Sequence, residues 1–293
     1  MSLFDDLADI CRPNAPLAPL SWFRLGGSAE FLLEPRTEEQ LVTIVKRCRE
    51  TDTQLRVLGR GANILVSDDG VPGAVVRLTA DPFMTTVYDT NGVTIGAGAD
   101  LPTLARNTVR RGLAGVENLA GIPGTIGGAI RMNCGGRYGE IGTVVGSIRL
   151  IGPDGNTYDR DHDDLQFAYR HCDLGEEIIV GAVVRLREDD PKALLRRFRE
   201  IWMYKQNTQP PMGERSAGCI FKNPAGRSAG ELIDRAGLKG LRVGSARVSE
   251  RHANFILADS DGRARDVLEL MRTIQDRVLE HSGIRLEPEI EIW

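Results

Sequence analysis

The chain has 293 residues, of which 41% are apolar, 27% charged and 5% aromatic. This composition is typical of an ordinary globular protein with about two domains, and it argues against disorder. The formal net charge of −4 argues against nucleic-acid binding, because nucleic acids select basic surfaces. An anionic small ligand would need a local cluster of cations instead.

The five cysteines are widely spaced, with no CxxC pair and no histidine at zinc-ligand spacing. We therefore expect reduced thiols and no metal site. The N-terminus, MSLFDDLADI, is acidic and lacks the features of a signal peptide. No stretch reaches the ~18 apolar residues of a membrane span. These features predict a cytoplasmic protein without membrane insertion.

The first elements in chain order predict a small α/β unit. Residues 1–21 are a proline-rich lead-in without a clear pattern. Thr37 and Gln40 form a capping box for a helix at 37–50. Strands are predicted at 31–33, 55–58, 64–66 and 74–78. From residue 93 strands dominate, at 93–95, 147–151, 157–158 and 178–186, with one helix at 101–111.

A second domain is predicted to begin near residue 190. Asp190 followed by Pro191 is a typical helix start, and this helix extends to Gln206. Further helices are predicted from 228 and at 265–281, with strands at 254–257 and in the C-terminal RLEPEIEIW. The predicted domains are therefore residues 22–188 and 189–293, after the lead-in.

Two glycine-rich segments lack the spacing of both standard nucleotide fingerprints, GxGxxG and GxxxxGK[ST]. The first is GRGAN, residues 59–63, and the second is GIPGTIGG within residues 115–139. Backbone N–H groups in such turns bind anions, and glycine permits close approach of a ligand. Two such loops fit one long dinucleotide, although tight turns between short strands are the alternative.

The segment SAGCIFKNP places Cys219, Lys222 and Asn223 within five positions. Pro224 biases Asn223 towards extended backbone, where neighbouring side chains can converge on a ligand. The alternative is a buried cysteine and a solvated lysine. Glu287 and Glu289 share one face of the last strand, and charge alone does not choose between them.

Two further residues have alternative interpretations. Arg170, in FAYR, either covers an aromatic ring or holds a carboxylate. His252, in SERHANF, is either an acid–base group or a histidine satisfied by neighbouring backbone.

Taken together and in order, these stretches resemble one family, the UDP-N-acetylenolpyruvoylglucosamine reductases (MurB). The matching segments are FRLGGSAEF, GRGANILVSDDG, GVENLAGIPGTIGGAIRMNCG, FAYR, TQPPMGERSAGCIFKNP, AGELIDRAGLKG, VSERHANFI and LEPE. They cover most of residues 22–290. The resemblance implies an α+β fold, with a vanillyl-alcohol-oxidase (PCMH) type FAD-binding domain followed by an α+β substrate-binding domain. The short interval between FAYR and TQPP resembles the type without an extra substrate-covering loop.

The resemblance also implies non-covalent FAD, NADPH as reductant, and a nucleotide-sugar substrate. We separately expect a monomer. The reaction would convert UDP-N-acetyl-3-O-(1-carboxyvinyl)glucosamine to UDP-N-acetylmuramate in peptidoglycan synthesis. The implied cofactor-binding residues are Gly59, Arg60, Gly61, Ala62, Asn63, Gly121, Ile122, Pro123, Gly124, Thr125, Gly127, Gly128 and Asn133. Arg60 departs from the family, in which glycine is common at this position.

The family pattern assigns catalysis to Arg170, Cys219 and Glu289, and substrate binding to Lys222 and Asn223. Arg170 and Glu289 would act on the substrate carboxylate and stabilise an enolate-like intermediate, and Lys222 and Asn223 would meet the diphosphate. The family's proton donor is usually a serine, and here that position is Cys219. A thiol is a stronger acid than an alcohol but is more easily oxidised.

Two alternatives remain open at this point. One is another FAD-dependent oxidase of the same superfamily. The other is a non-catalytic flavin-binding or nucleotide-sugar-binding homologue, in which Cys219 marks a decayed site.

Overall fold

The computed structural model describes residues 3–89 and 92–293. The described residues form seven α-helices: α1 (Glu38–Glu50), α2 (Asp81–Met84), α3 (Leu101–Arg110), α4 (Ile126–Arg131), α5 (Pro191–Thr208), α6 (Ala229–Arg235) and α7 (Ala264–Ser282). They also form short 3₁₀ turns at Asp5–Leu7, Ala18–Leu20, Glu117–Leu119, Ile141–Thr143 and His162–Asp164.

The strands of the first half are β1 (Cys11–Pro16), β2 (Ser28–Leu33), β3 (Leu55–Val57), β4 (Ile64–Leu65), β5 (Val71–Val76), β6 (Thr86–Tyr88), β7 (Gly92–Gly96), β8 (Leu113–Ala114), β9 (Gly135–Gly136) and β10 (Gly139–Glu140). Those of the second half are β11 (Val145–Ile151), β12 (Thr157–Asp161), β13 (Phe167–Ala168), β14 (His171–Cys172), β15 (Ile178–Arg185), β16 (Arg187–Glu188), β17 (Arg242–Val243), β18 (Ala246–Val248), β19 (Ile256–Ala258) and β20 (Glu291–Ile292). The three larger sheets have the orders β1-β2-β5-β3, β12-β11-β15-β7-β6 and β17-β18-β19.

Side-chain caps set the starts of the predicted helices. Thr37 accepts a hydrogen bond from the Gln40 N–H at 3.2 Å, Asp100 accepts one from the Thr103 N–H at 3.0 Å, and Ser228 accepts one from the Glu231 N–H at 3.3 Å. Each bond satisfies a backbone donor that has no partner within its helix. Helices α1, α3 and α6 therefore begin where the sequence predicts.

The proline-rich lead-in contains a strand, so the prediction of a patternless segment is wrong for residues 11–16. β1 includes Pro13 and Pro16 and lies at the edge of the four-stranded sheet. Proline cannot donate a ladder hydrogen bond, but an edge strand has one side without a neighbour. An edge position therefore tolerates the two prolines, although prolines argue against a strand when only the sequence is considered.

The chain divides into two compact units. The first unit comprises Met1–Pro13, Phe31–Gly59 and Pro72–Tyr204. Its five-stranded sheet is antiparallel throughout, and β15 contributes five buried residues to the core: Ile178, Ile179, Val180, Ala182 and Val184. This result confirms the predicted buried strand in IIVGAVV.

The second unit comprises Asn14–Glu30, Arg60–Val71 and Lys205–Trp293. Its core includes Phe23, Leu65, Phe221, Leu270 and Ile290. Within it β20 pairs in parallel with β4, with Glu291 opposite Ile64. The boundary at residues 188 and 189 stays a prediction.

Candidate functional site

The two glycine-rich segments touch within the first unit. A Cβ atom on Gly59 would lie 2.6 Å from the Thr125 Oγ1 atom, so only glycine fits at this contact without displacing its neighbour. Thr125 is fixed in turn, because its Oγ1 atom caps α4 by accepting a hydrogen bond from the Gly128 N–H at 3.3 Å. The first residue of GRGAN therefore lies against GIPGTIGG.

The GIPGTIGG backbone has room beside it for a ligand. Gly121 and Gly124 have φ values of 74° and 137°, which glycine adopts without strain. A Cβ atom on Gly124 would have no neighbouring atom within 4 Å, whereas one on Gly127 would lie 3.0 Å from the Ala97 Cβ atom. The missing side chain at Gly127 therefore lets this segment pack against Ala97. The missing side chain at Gly124 instead leaves the backbone open to a bound group. Ile122 and Pro123 between them are half-buried. This open backbone fits the expected FAD.

The remainder of GRGAN belongs to the second unit. Arg60 is exposed, Gly61 has a φ of 63°, and Ala62 is half-buried. The Asn63 Nδ2 atom donates to the Glu289 carbonyl oxygen at 3.2 Å, and the Glu291 N–H donates to the Asn63 carbonyl oxygen at 2.9 Å. Asn63 therefore holds the backbone of the C-terminal segment, a contact that the sequence does not predict.

The segment that carries Cys219 pairs with the segment that carries Glu289. The Glu289 N–H donates to the Ile220 carbonyl oxygen at 2.7 Å, and the Lys222 N–H donates to the Glu287 carbonyl oxygen at 2.8 Å. These bonds flank an antiparallel bridge between residues 221 and 288. Cys219 and Glu289, 70 positions apart in sequence, thus lie on adjacent extended segments of the second unit.

The two glutamates of LEPE are not equivalent. The Glu287 side chain is 77% exposed, and its Oε2 atom lies 3.9 Å from the Lys222 Nζ atom. Glu289 is half-buried. An exposed pair of this kind is weak, so Lys222 remains available to an anionic ligand.

Two other polar residues of SAGCIFKNP have features that the sequence does not reveal. The Asn223 Oδ1 atom accepts from the Ala229 N–H at 2.9 Å and so holds the start of α6. The Ser216 side chain is buried, and its hydroxyl has no hydrogen-bond partner within residues 3–89 and 92–293.

Arg170 lies in the two-residue turn that joins β13 to β14, in which Ala168 pairs with His171. Its φ of 57° is uncommon for a residue with a side chain. The guanidinium carbon lies 4.9 Å from the centre of the Tyr169 ring, so the aromatic contact of the first alternative is present. Left-handed non-glycine residues concentrate at functional sites, where the surrounding structure maintains the strain.

Asn133, predicted as a cofactor residue, is fully buried and uses both ends of its carboxamide within the first unit. Its Nδ2 atom donates to the Ala168 carbonyl oxygen at 3.0 Å, and its Oδ1 atom accepts from the Gly142 N–H at 3.0 Å. These partners are backbone groups, so no sequence motif marks them.

His252 has the environment of a structural histidine. Its Nδ1 atom accepts from the Asn254 N–H at 3.2 Å, and its ring packs edge-on against Phe255 with 4.9 Å between centres. Burial lowers the pKa of His252, so the imidazole is neutral near pH 7. The structure favours the structural alternative over an acid–base role.

None of the five cysteines forms a disulfide. Burial raises the pKa of both Cys48 and Cys172 to about 11, so these two thiols are poor nucleophiles. Within the described ranges, no cluster of three or more His, Cys, Asp or Glu residues could hold a metal ion. No helix in the same ranges has the length and apolar character needed to cross a membrane.

Comparison with known proteins gives two family models. "FAD binding domain" matches residues 29–160, and "UDP-N-acetylenolpyruvoylglucosamine reductase, C-terminal domain" matches residues 209–293. These matches and the mixed helix and strand content confirm the predicted α+β fold class.

Full-length relatives extend the comparison over nearly the whole chain. A UDP-N-acetylenolpyruvoylglucosamine reductase of Gluconobacter oxydans is 38% identical over 280 residues, which are 95% of this chain and 90% of the relative. The enzyme of the same name from Paramagnetospirillum magneticum is 41% identical over 278 residues, 94% of this chain and 90% of the relative. The crystal structure of UDP-N-acetylenolpyruvylglucosamine reductase (MurB) from Thermus caldophilus superposes with a TM-score of 0.84 at 40% identity, covering 97% of this chain and 99% of that one.

Proposed function

The chain belongs to the UDP-N-acetylenolpyruvoylglucosamine reductase family, and from this membership we propose that Arg170, Cys219 and Glu289 are its catalytic residues. The protein is an FAD-dependent oxidoreductase that uses NADPH to reduce the enolpyruvyl ether of UDP-N-acetylglucosamine to UDP-N-acetylmuramate, a precursor of peptidoglycan. The observation that supports this function is the sequence identity of 38–41% to reductases of this name, over about 95% of the chain.

We assign FAD to the GRGAN and GIPGTIGG loops. FAD held there would supply the two-electron transfer between NADPH and the substrate double bond. The contact between Gly59 and Thr125 and the open backbone at Gly124 support this assignment, since a pyrophosphate needs closely approached backbone N–H groups. Arg60, the second residue of GRGAN, is exposed and carries a positive charge.

Cys219 supplies the proton that completes reduction of the double bond. The observation that carries this assignment is the pairing between its segment and that of Glu289, marked by the 2.7 Å bond from the Glu289 N–H to the Ile220 carbonyl oxygen. The pairing holds the two residues on neighbouring extended segments, and a general acid acts when it lies within hydrogen-bond reach of the atom that it protonates. The thiol releases its proton to C2 of the enolpyruvyl group and becomes a thiolate.

Arg170 binds the carboxylate of the enolpyruvyl group, and Glu289 assists it by donating a hydrogen bond from a protonated carboxyl, because two ionised carboxylates repel each other. A guanidinium forms paired, charge-assisted hydrogen bonds with a carboxylate, and these strengthen as negative charge develops on it. Lys222 and the Asn223 amide nitrogen bind the diphosphate. The weak exposed pair between Lys222 and Glu287 leaves the lysine charge available for this role.

The domain roles follow the family models. Residues 22–188 would be the FAD-binding domain and residues 189–293 the substrate-binding domain. Matches at 29–160 and 209–293 support this division. We also propose that the protein is a monomer and acts in the cytoplasm.

The test separates the two half-reactions of Cys219 variants by stopped-flow spectroscopy. Cys219→Ala should lower reoxidation of the reduced enzyme by the sugar nucleotide by about 10²–10⁴-fold, the usual contribution of a general acid. Its reduction by NADPH should keep the wild-type rate. Cys219→Ser should retain activity in both half-reactions, because the hydroxyl also carries a proton. Equal losses of Cys219→Ala in both half-reactions, or no loss in either, would contradict the assignment.

Cys11→Ala is the matched control, because Cys11 is a half-buried thiol on the edge strand β1. It should leave both half-reactions unchanged. A similar loss in this variant would indicate a general effect of removing a thiol.

A further inference from the structure

The side chain of Asn133 bridges two backbone segments that are distant in sequence. Its Nδ2 atom donates to the Ala168 carbonyl oxygen, 35 positions later, and its Oδ1 atom accepts from the Gly142 N–H. Asn133 is 0% exposed. A buried carboxamide without partners for its donor and acceptor costs free energy. Both bonds are therefore favoured, and together they hold the two backbone segments against Asn133.

The segment on one side of this bridge carries Arg170. Ala168 is the last residue of β13, and only Tyr169 and Arg170 separate it from β14. The hairpin has two paired positions, Phe167 with Cys172 and Ala168 with His171. A ladder of this length is not stable by itself, so the turn depends on bonds from outside the hairpin.

The outer end of the hairpin is closed by a second side chain. The Asp173 Oδ1 atom accepts from the Gln166 N–H at 2.8 Å, and Arg160 binds the Asp173 carboxylate at 3.0 Å. At the turn end, the bond from Asn133 fixes the peptide just before Tyr169. Arg170 therefore holds its left-handed φ of 57° within a hairpin that is fixed at both ends.

Tight packing prevents the bridge from shifting. A Cβ atom on Gly142 would lie 2.7 Å from the Phe167 Cγ atom and 2.9 Å from the Asn133 Oδ1 atom. Asn133 itself has a φ of 39°, so it is a second left-handed residue beside the Arg170 turn. Strain of this kind persists only where neighbouring contacts determine the conformation.

Asn133 also joins the turn to the GIPGTIGG loop. Helix α4 begins after Thr125, its N-cap, and the Asn133 N–H donates to the Ile130 carbonyl oxygen at the other end of the helix. One short helix therefore connects the loop assigned to FAD with the turn that carries Arg170.

We infer that Asn133 is a positioning residue for Arg170, and that its carboxamide orients the arginine turn and does not bind FAD. This inference rests on the proposed role of Arg170 in binding the substrate carboxylate. A misplacement of about 1 Å in a substrate-binding group can cost about 100-fold in rate. Loss of the bridge should therefore weaken the reaction with the sugar nucleotide and leave the flavin chemistry intact.

Two variants test the bridge in the FAD-loaded protein. Asn133→Asp keeps the size of the side chain and, with its carboxyl ionised, places an oxygen against the Ala168 carbonyl oxygen. Asn133→Gly removes the bridge and accepts the left-handed backbone without strain. Both should lower kcat/KM for the sugar nucleotide by about 10- to 100-fold, while flavin content and the rate of reduction by NADPH stay at wild-type values.

A double-mutant comparison separates positioning from a general structural effect. In an Arg170→Ala background, Asn133→Asp should cause no further loss, because the group it positions is absent. Asn107→Asp, which adds the same charge on α3, is the control and should behave as wild type.

Each other outcome identifies a different error. Loss of FAD from the Asn133 variants would show that the residue binds the cofactor, and an additive loss in the Arg170→Ala background would show a general structural effect. Wild-type kinetics of both Asn133 variants, with Arg170→Ala impaired, would overturn the inference alone. Wild-type kinetics of Arg170→Ala would instead refute the proposed role of the arginine and, with it, the inference.

Discussion

Glu117 is a buried carboxylate whose replacement should produce a large loss of stability. It is 1% exposed and precedes the GIPGTIGG loop by a few residues. Its Oε2 atom accepts from the Gly115 N–H at 2.6 Å, and its Oε1 atom accepts from the Arg197 Nη1 atom at 2.6 Å. Both oxygens thus face donors, and one of these donors lies on α5.

Glu117→Gln preserves the shape but offers only one acceptor oxygen. Whichever way the amide turns, its NH₂ group faces one of the two donors. A hydrogen bond to a charged group contributes about 1.5–3 kcal/mol, and a buried donor left without an acceptor costs about 1–3 kcal/mol. The Arg197 side chain is 42% exposed and can turn to water, which limits the second cost. We expect a loss of about 2–4 kcal/mol in the free energy of unfolding.

Urea unfolding followed by circular dichroism measures this loss as a lower midpoint at an unchanged m-value. Glu188→Gln is the matched control, because Glu188 is an exposed glutamate of the same unit, and it should change stability by less than about 0.5 kcal/mol. A loss below about 1 kcal/mol for Glu117→Gln would refute the reasoning, because a buried carboxylate that accepts two hydrogen bonds should cost more than this to replace.

Three further predictions concern the glycines and the histidine. Gly142→Ala should destabilise the protein by about 1–3 kcal/mol through overpacking, whereas Gly136→Ala, with open space around its Cβ position, should be nearly neutral in the same urea experiment. Gly59→Ala should lower FAD affinity by about tenfold in a flavin fluorescence titration, because overpacking of ~1–3 kcal/mol against Thr125 must displace one loop; unchanged affinity would contradict the assignment of FAD to the GRGAN and GIPGTIGG loops. Because burial lowers the pKa of His252, its stabilising contribution should be complete above pH 6.5, the ordinary pKa, and should fall as the pH drops below that value. Melting temperatures between pH 7.5 and 5.5 should therefore fall less for His252→Gln than for the wild type, and parallel curves would count against this explanation.

Local signals explain which elements the sequence predicts well. Thr37, Asp100 and Ser228 each bond to a backbone N–H three positions later, so the information for a helix start lies within one turn. β1 is different, because its assignment depends on pairing with β2 at a sheet edge. Because β1 contains two prolines, its local sequence does not predict a strand.

The candidate site divides in the same way. Motifs identify Cys219 and Glu289 separately, but only the fold pairs their segments through the Glu289 N–H and the Ile220 carbonyl oxygen. The partners of Asn133 are backbone groups that any residue provides, so the sequence alone could not reveal its bridge. Tertiary hydrogen bonds to backbone therefore mark the limit of motif-based prediction for this chain.

The most direct test of the proposed reaction is anaerobic NADPH oxidation by the FAD-loaded protein, with and without the enolpyruvyl UDP-sugar. We predict continuous oxidation only when the sugar is present, with one NADPH consumed for each UDP-N-acetylmuramate formed. Oxidation that stops after one equivalent per flavin and does not respond to the sugar would contradict the reductase activity.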